Sequence, residues 1–205
     1  HHTMPQTDDR PQWNEELRIF VDGNKTASGD GFSAGTALAS GNEAFALLAR
    51  CNHRDGGVAT IRFAPLAGGR EYAPIRICRD DCGSLEKVRL QGNPEGTKFS
   101  LVEVHDSGRV EVRDAGLRYA HAHHGGTLYL SGEIRLRPNV STGSLGASFS
   151  GTAMVASHTA FIIEPGVYPW IFRATSNGEF YAADAGICLF FDPDVHFSRA
   201  FIVSE

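Results

Sequence analysis

RVEVRDAGLRYA (Arg109–Ala120) decides how the rest of the chain is read, because its pattern returns as TLYLSGEIRLR (Thr127–Arg137) and ASFSGTAMVA (Ala147–Ala156). Each copy is a run with apolar residues at alternate positions, a corner carrying Gly, and a second such run. Alternation at every second residue is the strand period, since successive side chains leave a strand on opposite faces. A weaker copy follows at ATSNGEFYAA (Ala174–Ala183). The corner glycines Gly92, Gly116, Gly132, Gly151 and Gly178 stand 16 to 27 residues apart, a spacing that belongs to architectures stacking short repeats. We therefore expect an all-β chain wound as a short solenoid of parallel strands, one repeat per coil. Val110, Val112, Leu128, Leu130, Ile134, Leu136, Phe149 and Val155 should form its inward rows. A two-sheet sandwich is the structural rival, because alternation alone does not separate the two.

Working outward, further strands are expected at Leu17–Asp22, Val58–Leu66, Tyr72–Ile77, Lys87–Gly92, Lys98–Val104, Ala160–Gly166, within Trp170–Phe191 and at Arg199–Glu205. A DAG tripeptide at Asp114–Gly116 and again at Asp184–Gly186 supports a recurring corner. One helix stands out at about 42–51, with Asn42 as N-cap, Arg50 in the last turn, and Ala44, Leu47, Leu48 and Cys51 on one face. That stripe should cover the exposed end of the strand stack, since an open edge recruits other chains. The loop Gly23–Ala37 is dense in Gly, Ser and Asp but lacks the Gly-Lys-Ser/Thr ending of a phosphate-binding loop, so it reads as a compact turn. Residues 1–16 divide into a tag remnant, His1–Thr3, and a polar flexible arm whose one large apolar group is Trp13. Trp13 either tucks back on its own domain or anchors to another chain. The β domain occupies 17–205.

With 205 residues, a net charge of −5 and no block of Lys or Arg, the chain lacks the electrostatic footprint of a nucleic-acid binder. No apolar run approaches the ~20 residues of a spanning helix, and no signal peptide is read at the N-terminus, so a soluble product made in the cytosol is expected. Cys51, Cys78, Cys82 and Cys188 are expected to be reduced, with Cys51 on the helix and Cys188 in a strand core. CRDDC has no matching second pair to complete a zinc site.

The residues Phe20-Val21-Asp22, then Gly29-Asp30-Gly31-Phe32-Ser33-Ala34-Gly35-Thr36-Ala37, then the helix, then Val58–Leu66 resemble the start of the right-handed parallel β-helix proteins of bacteriophage tailspikes and tail fibres, within the pectate-lyase-like superfamily. The likeness covers about the first third of the chain, and ALASGN before the helix departs from the pattern. The resemblance implies a virion component that attaches to the particle or to a host-surface polysaccharide. It further implies a homotrimer, a place in the phage tail, other virion proteins held through the N-terminal arm, and no cofactor. A small polysaccharide lyase or glycoside hydrolase is the alternative, and a surface adhesin fragment a third reading that the missing signal peptide argues against.

Sugar cleavage requires two carboxylates about 5 to 9.5 Å apart. Asp114 and Glu133 sit at equivalent corners of successive coils, with strands stacking about 4.8 Å apart, and are the candidate pair; Glu179 and Asp184 are weaker. Carboxylates at solvated corners are common without catalysis, and binding without cleavage is the expectation. His121, His123 and His124 in AHAHHGG could share a metal ion, but no acid or Cys adjoins them in sequence, and no metal is expected. Tyr119, Tyr129, Tyr168 and Trp170 are the candidate sugar-stacking rings, with internal packing or a subunit contact as the competing roles.

Overall fold

The computed structural model describes residues 12–13, 16–53, 56–139, 142–182 and 187–205. The chain is all-β apart from a few short helices, and every strand pairing among the described residues is parallel. Two stacked sheets dominate. The longer sheet runs, in spatial order, through Arg18–Val21, Val58–Phe63, Lys87–Gln91, Arg109–Leu117, Thr127–Leu136, Thr152–Val155 and Glu179–Ala182. The second runs through Ile75–Ile77, Val102–Val104, Ala120–Ala122, Leu145–Ala147, Phe172–Ala174 and Ile202–Ser204. No antiparallel hairpin of the kind a sandwich requires occurs among these strands, and the arrangement is compatible with a parallel β-helix.

In-register parallel pairing places like on like. Arg109, Thr127, Thr152 and Glu179 are neighbours across strands, 18, 25 and 27 residues apart in sequence. Inward rows follow the alternation: Ile19, Ile61, Leu90, Val112, Leu130 and Val155 stack in one line and are all buried. Phe99, Leu117, Leu136 and Ile163 make another. Seven of the eight expected inward residues are buried; Phe149 is 57% exposed.

Phe149 is displaced because the corner lies elsewhere than expected. The strands that begin at Arg109, Thr127, Thr152 and Glu179 are each preceded by a four-residue turn ending in Gly: His105–Gly108, His123–Gly126, Ser148–Gly151 and Thr175–Gly178. The Gly N–H donates to the first residue's carbonyl at 2.8–3.0 Å in all four. Both central residues have positive φ, as at Phe149 (44°) and Ser150 (62°), the signature of a type I′ turn. A Cβ at Gly151 or Gly178 would lie 2.1 Å from a carbonyl oxygen of the preceding rung, Ala122 or Ala147, which is why the fourth position admits only Gly. Of the expected corner glycines, Gly151 and Gly178 belong to this set. Gly116 lies inside a strand, and Gly132 (φ 70°) forms a bulge where the pairing shifts register between Ser131 and Ile134.

The helix spans Gly41–Arg50, capped by Ser40 rather than Asn42: the Ser40 side chain accepts from Glu43 N–H. Ala44, Leu47 and Leu48 pack over the end strand Arg18–Val21, in the same core as Leu17, Ile19 and Val21. The Gly-rich loop closes on itself, with Asp30 accepting from Phe32 N–H and the Thr36 hydroxyl. In the arm, Gln12–Trp13 pairs in parallel with Asn52–His53, so this part is extended strand rather than free chain; the Trp13 side chain lies outside the described residues. Cys78, Cys82 and Cys188 are free thiols, and Cys188 is exposed on its strand instead of buried. No helix among the described residues is long and apolar enough to cross a membrane.

Candidate functional site

The second sheet presents an outward row, Arg76, Glu103, His121, Gly146 and Arg173, set by pairing in register. Gly146 leaves a gap between His121 and Arg173, and an open cleft of about 640 Å³ lies there. Tyr119, His121, Ser148, Phe149, Trp170, Arg173 and Glu205 are among the residues lining it. The Arg173 guanidinium sits 5.6 Å from the centre of the Trp170 ring, a cation–π distance, and 3.6 Å from Glu205. Arg173 Nε is buried and has no hydrogen-bond partner among the described residues.

His121 is held at both ring nitrogens. Nδ1 pairs with the Tyr119 hydroxyl, and Nε2 lies 2.7 Å from Ser148 Oγ. Burial, with the neighbouring His123, pushes His121 down to about 4 against the opposing pull of Glu103, so the imidazole is neutral at pH 7. Burial, reinforced by the Glu103 charge, pushes the Tyr119 phenol up to about 12. Stacking of the turns brings His105 beside His123 (ring centres 5.6 Å apart) and His124 beside Phe149 (5.2 Å).

Acids do adjoin the histidines, one from the neighbouring rung and one beside His105 in sequence. Glu103, one rung away, bonds His123 Nε2 and pairs with Arg76 at 3.0 Å. Asp106 lies 2.9 Å from His105 Nδ1. Burial would raise Glu103, but the His123 and Arg76 contacts outweigh it and hold the carboxyl below its ordinary range. Even so, no group of three or more His, Cys, Asp or Glu among the described residues is arranged to hold a metal ion; His121 is engaged by Tyr119 and Ser148, His123 Nε2 by Glu103, and His123 and His124 face each other through Nδ1.

The four aromatic candidates separate. Tyr119 and Trp170 line the cleft. Tyr129 lies on the longer sheet, under Lys87 Nζ at 4.6 Å from its ring centre. Tyr168 is wholly buried, its hydroxyl within 2.9 Å of the Leu136 carbonyl and 2.8 Å of that of Glu164, which removes its ring from any ligand. Asp114 accepts from the Glu133 backbone N–H at 2.9 Å, so its carboxylate props the bulge at Gly132. Glu133 reaches Arg135 at 3.5 Å. Glu179 takes a hydrogen bond from Tyr181, and Asp184 lies outside the described residues.

The most tightly held acid is one that sequence reading passed over. Glu111, 3% exposed, meets Lys87 (2.7 Å), Arg89 (2.7 Å) and Arg113 (3.0 Å). Burial would raise it, but the hydrogen bonds and charges of Lys87 and Arg89 prevail and hold it low. Three cations around one carboxylate make a structural tie, not a base. In comparisons with family models, curated proteins and solved structures, nothing matches this chain.

Proposed function

We propose that the chain winds as a right-handed parallel β-helix and serves as a tail-fibre or spike module of a phage or prophage virion, attaching to the particle or to a host-surface polysaccharide. Parallel-only pairing at sequence offsets of 18, 25 and 27 residues supports the winding, because a coil that short has no room for a crossover helix. The N-terminal resemblance supports the virion setting.

The observation that carries the binding role is the cleft. Tyr119 supplies ring surface for the C–H face of a sugar, while Arg173, Glu205, Ser148, Thr175 and Ser176 supply polar partners for its hydroxyls; Trp170, only 4% exposed, backs the cleft beneath the Arg173 guanidinium. In this reading the module is a homotrimer about a threefold axis, its arm docks on other virion proteins, and it binds without cleaving. The alternative, a lyase or glycoside hydrolase, has no observation in its favour, since Asp114 is occupied by the Glu133 backbone.

Titration against a panel of bacterial capsule and lipopolysaccharide glycans tests the role. Binding by at least one glycan, weakened tenfold or more by Arg173→Ala and by Tyr119→Ala, is the expected result. Binding that neither substitution alters would overturn the cleft assignment. New reducing ends or unsaturated uronates that vanish in Asp114→Asn or Glu133→Gln would favour the enzymatic alternative. Light scattering reads the trimer directly.

A further inference from the structure

The cleft contains a hydrogen-bonded line of three side chains drawn from two rungs: Ser148 Oγ, 2.7 Å from His121 Nε2, with His121 Nδ1 on the Tyr119 hydroxyl. A nucleophile within hydrogen-bond reach of a base, itself oriented by a third group, is the arrangement that activates a hydroxyl for acyl transfer. The geometry points to Ser148 as a nucleophile, with His121 as its general base and Tyr119 as the positioning residue, acting on esters of short carboxylic acids. This is a chemical activity additional to glycan binding and does not depend on it.

The reactive tautomer carries its proton on Nδ1, donated to the Tyr119 oxygen, and leaves Nε2 to accept the Ser148 hydroxyl. Ser148 Oγ bonds to the ester carbonyl carbon as its proton passes to His121 Nε2. The tetrahedral adduct then expels the alcohol, whose oxygen takes that proton back from Nε2 as the ester C–O bond breaks. Water repeats the sequence on the acyl-Ser148: its proton goes to Nε2, its oxygen bonds to the carbonyl carbon, and the Ser148–acyl bond breaks with the proton returned to Oγ. No other co-reactant is required.

One further observation fits the same chemistry: Arg173 lines the cleft beside Ser148 and His121, a fixed positive group of the kind that stabilises a developing oxyanion. A neutral His121 is available as a base throughout the physiological range. The charged and titratable groups facing it are Tyr119, His123, Glu103 and Arg173; Glu103 is the one whose charge favours the imidazolium formed during transfer.

The full chain is treated with a fluorophosphonate probe, and the adduct is located by peptide mass spectrometry, alongside hydrolysis of p-nitrophenyl acetate. The expected result is one adduct, on Ser148, with acetate release abolished in Ser148→Ala and labelling slowed about 100-fold or more in His121→Gln. Tyr119→Phe should lower the rate about tenfold and leave the adduct on Ser148. The wild-type labelling rate should also rise as pH passes upward through about 4, the value to which burial brings His121, and level off above it. This readout survives even if His121→Gln fails to fold. Folded wild-type protein that leaves Ser148 unlabelled, labels other serines equally, or labels at a rate indifferent to both pH and His121 overturns the assignment. Glycan binding by the unlabelled protein is scored separately, so either activity can fail alone.

Discussion

The first and last rungs of the strand stack carry the same kind of side chains and have opposite exposure. At the first, Leu17, Ile19 and Val21 are buried beneath Ala44, Leu47 and Leu48 of the helix. At the last, Phe191 is 45% exposed although it continues the fully buried row of Phe99, Leu117 and Leu136. Ile202, at the end of the row through Val102, Ala120 and Leu145, is 60% exposed. Phe190 and Tyr181 are exposed beside them. The alternation of apolar residues is the same at both ends, so period alone does not determine burial. A side chain in a stacked row is dry only when another layer lies on it, and one amphipathic helix is enough to supply that layer.

The largest effect expected from this comparison is at the covered end. Leu48→Ala should destabilise the fold by about 2–5 kcal/mol, the range for emptying a packed leucine site, read as a shift in the denaturant midpoint. A change below about 1 kcal/mol would show that the helix is not the lid described. Between the ends, His121 links stability to pH. Its folded value of about 4 lies below the ordinary 6.5, so the unfolded chain binds the extra proton between those values. The contribution is fully present above pH 6.5 and is lost as pH falls toward 4, about 3 kcal/mol in all. His121→Gln should flatten that segment of the stability profile, and an unchanged slope would mean that the imidazole is not held neutral by burial. The smallest effect belongs to the bare end: Phe190→Ser should stay within about 0.5 kcal/mol of wild type, as for an exposed position without special contacts. A loss comparable to that of Leu48→Ala would show that the last rung is covered in solution.

Much of this architecture was legible in the chain. The alternation in RVEV, TLYL and TAMV gave strands and inward residues, because a strand's period depends only on backbone geometry. Corner positions were harder to read. A search for Gly inside each repeat selects Gly116 and Gly132, whereas the recurring turn ends one residue before each run, at Gly108, Gly126, Gly151 and Gly178. The shared cue was a short polar or aromatic segment closing on Gly at offsets equal to those of the strands. Once that cue is applied, Phe149 falls in a turn. The candidate site was less visible still. Ser148 and His121 are 27 residues apart, and Glu103 and His123 are 20 apart. They meet because intervening loop lengths fix which rung lies on which, and those lengths have no local sequence signature. His121 and Tyr119 were singled out as separate candidates for metal and sugar; their juxtaposition with Ser148 is a property of stacking.

Parallel stacking in register underlies every contact described, and it can be measured by cross-linking. Thr127 and Thr152 are paired neighbours on adjacent strands, where parallel strands run about 4.8 Å apart, within disulfide reach. In a background lacking the exposed Cys188, Thr127→Cys with Thr152→Cys should oxidise readily to an intramolecular disulfide, whereas Thr127→Cys with Met154→Cys, two residues out of register, should not. Efficient bonding of the second pair and failure of the first would contradict the register, and with it the cleft in which Tyr119, His121, Ser148 and Arg173 come together.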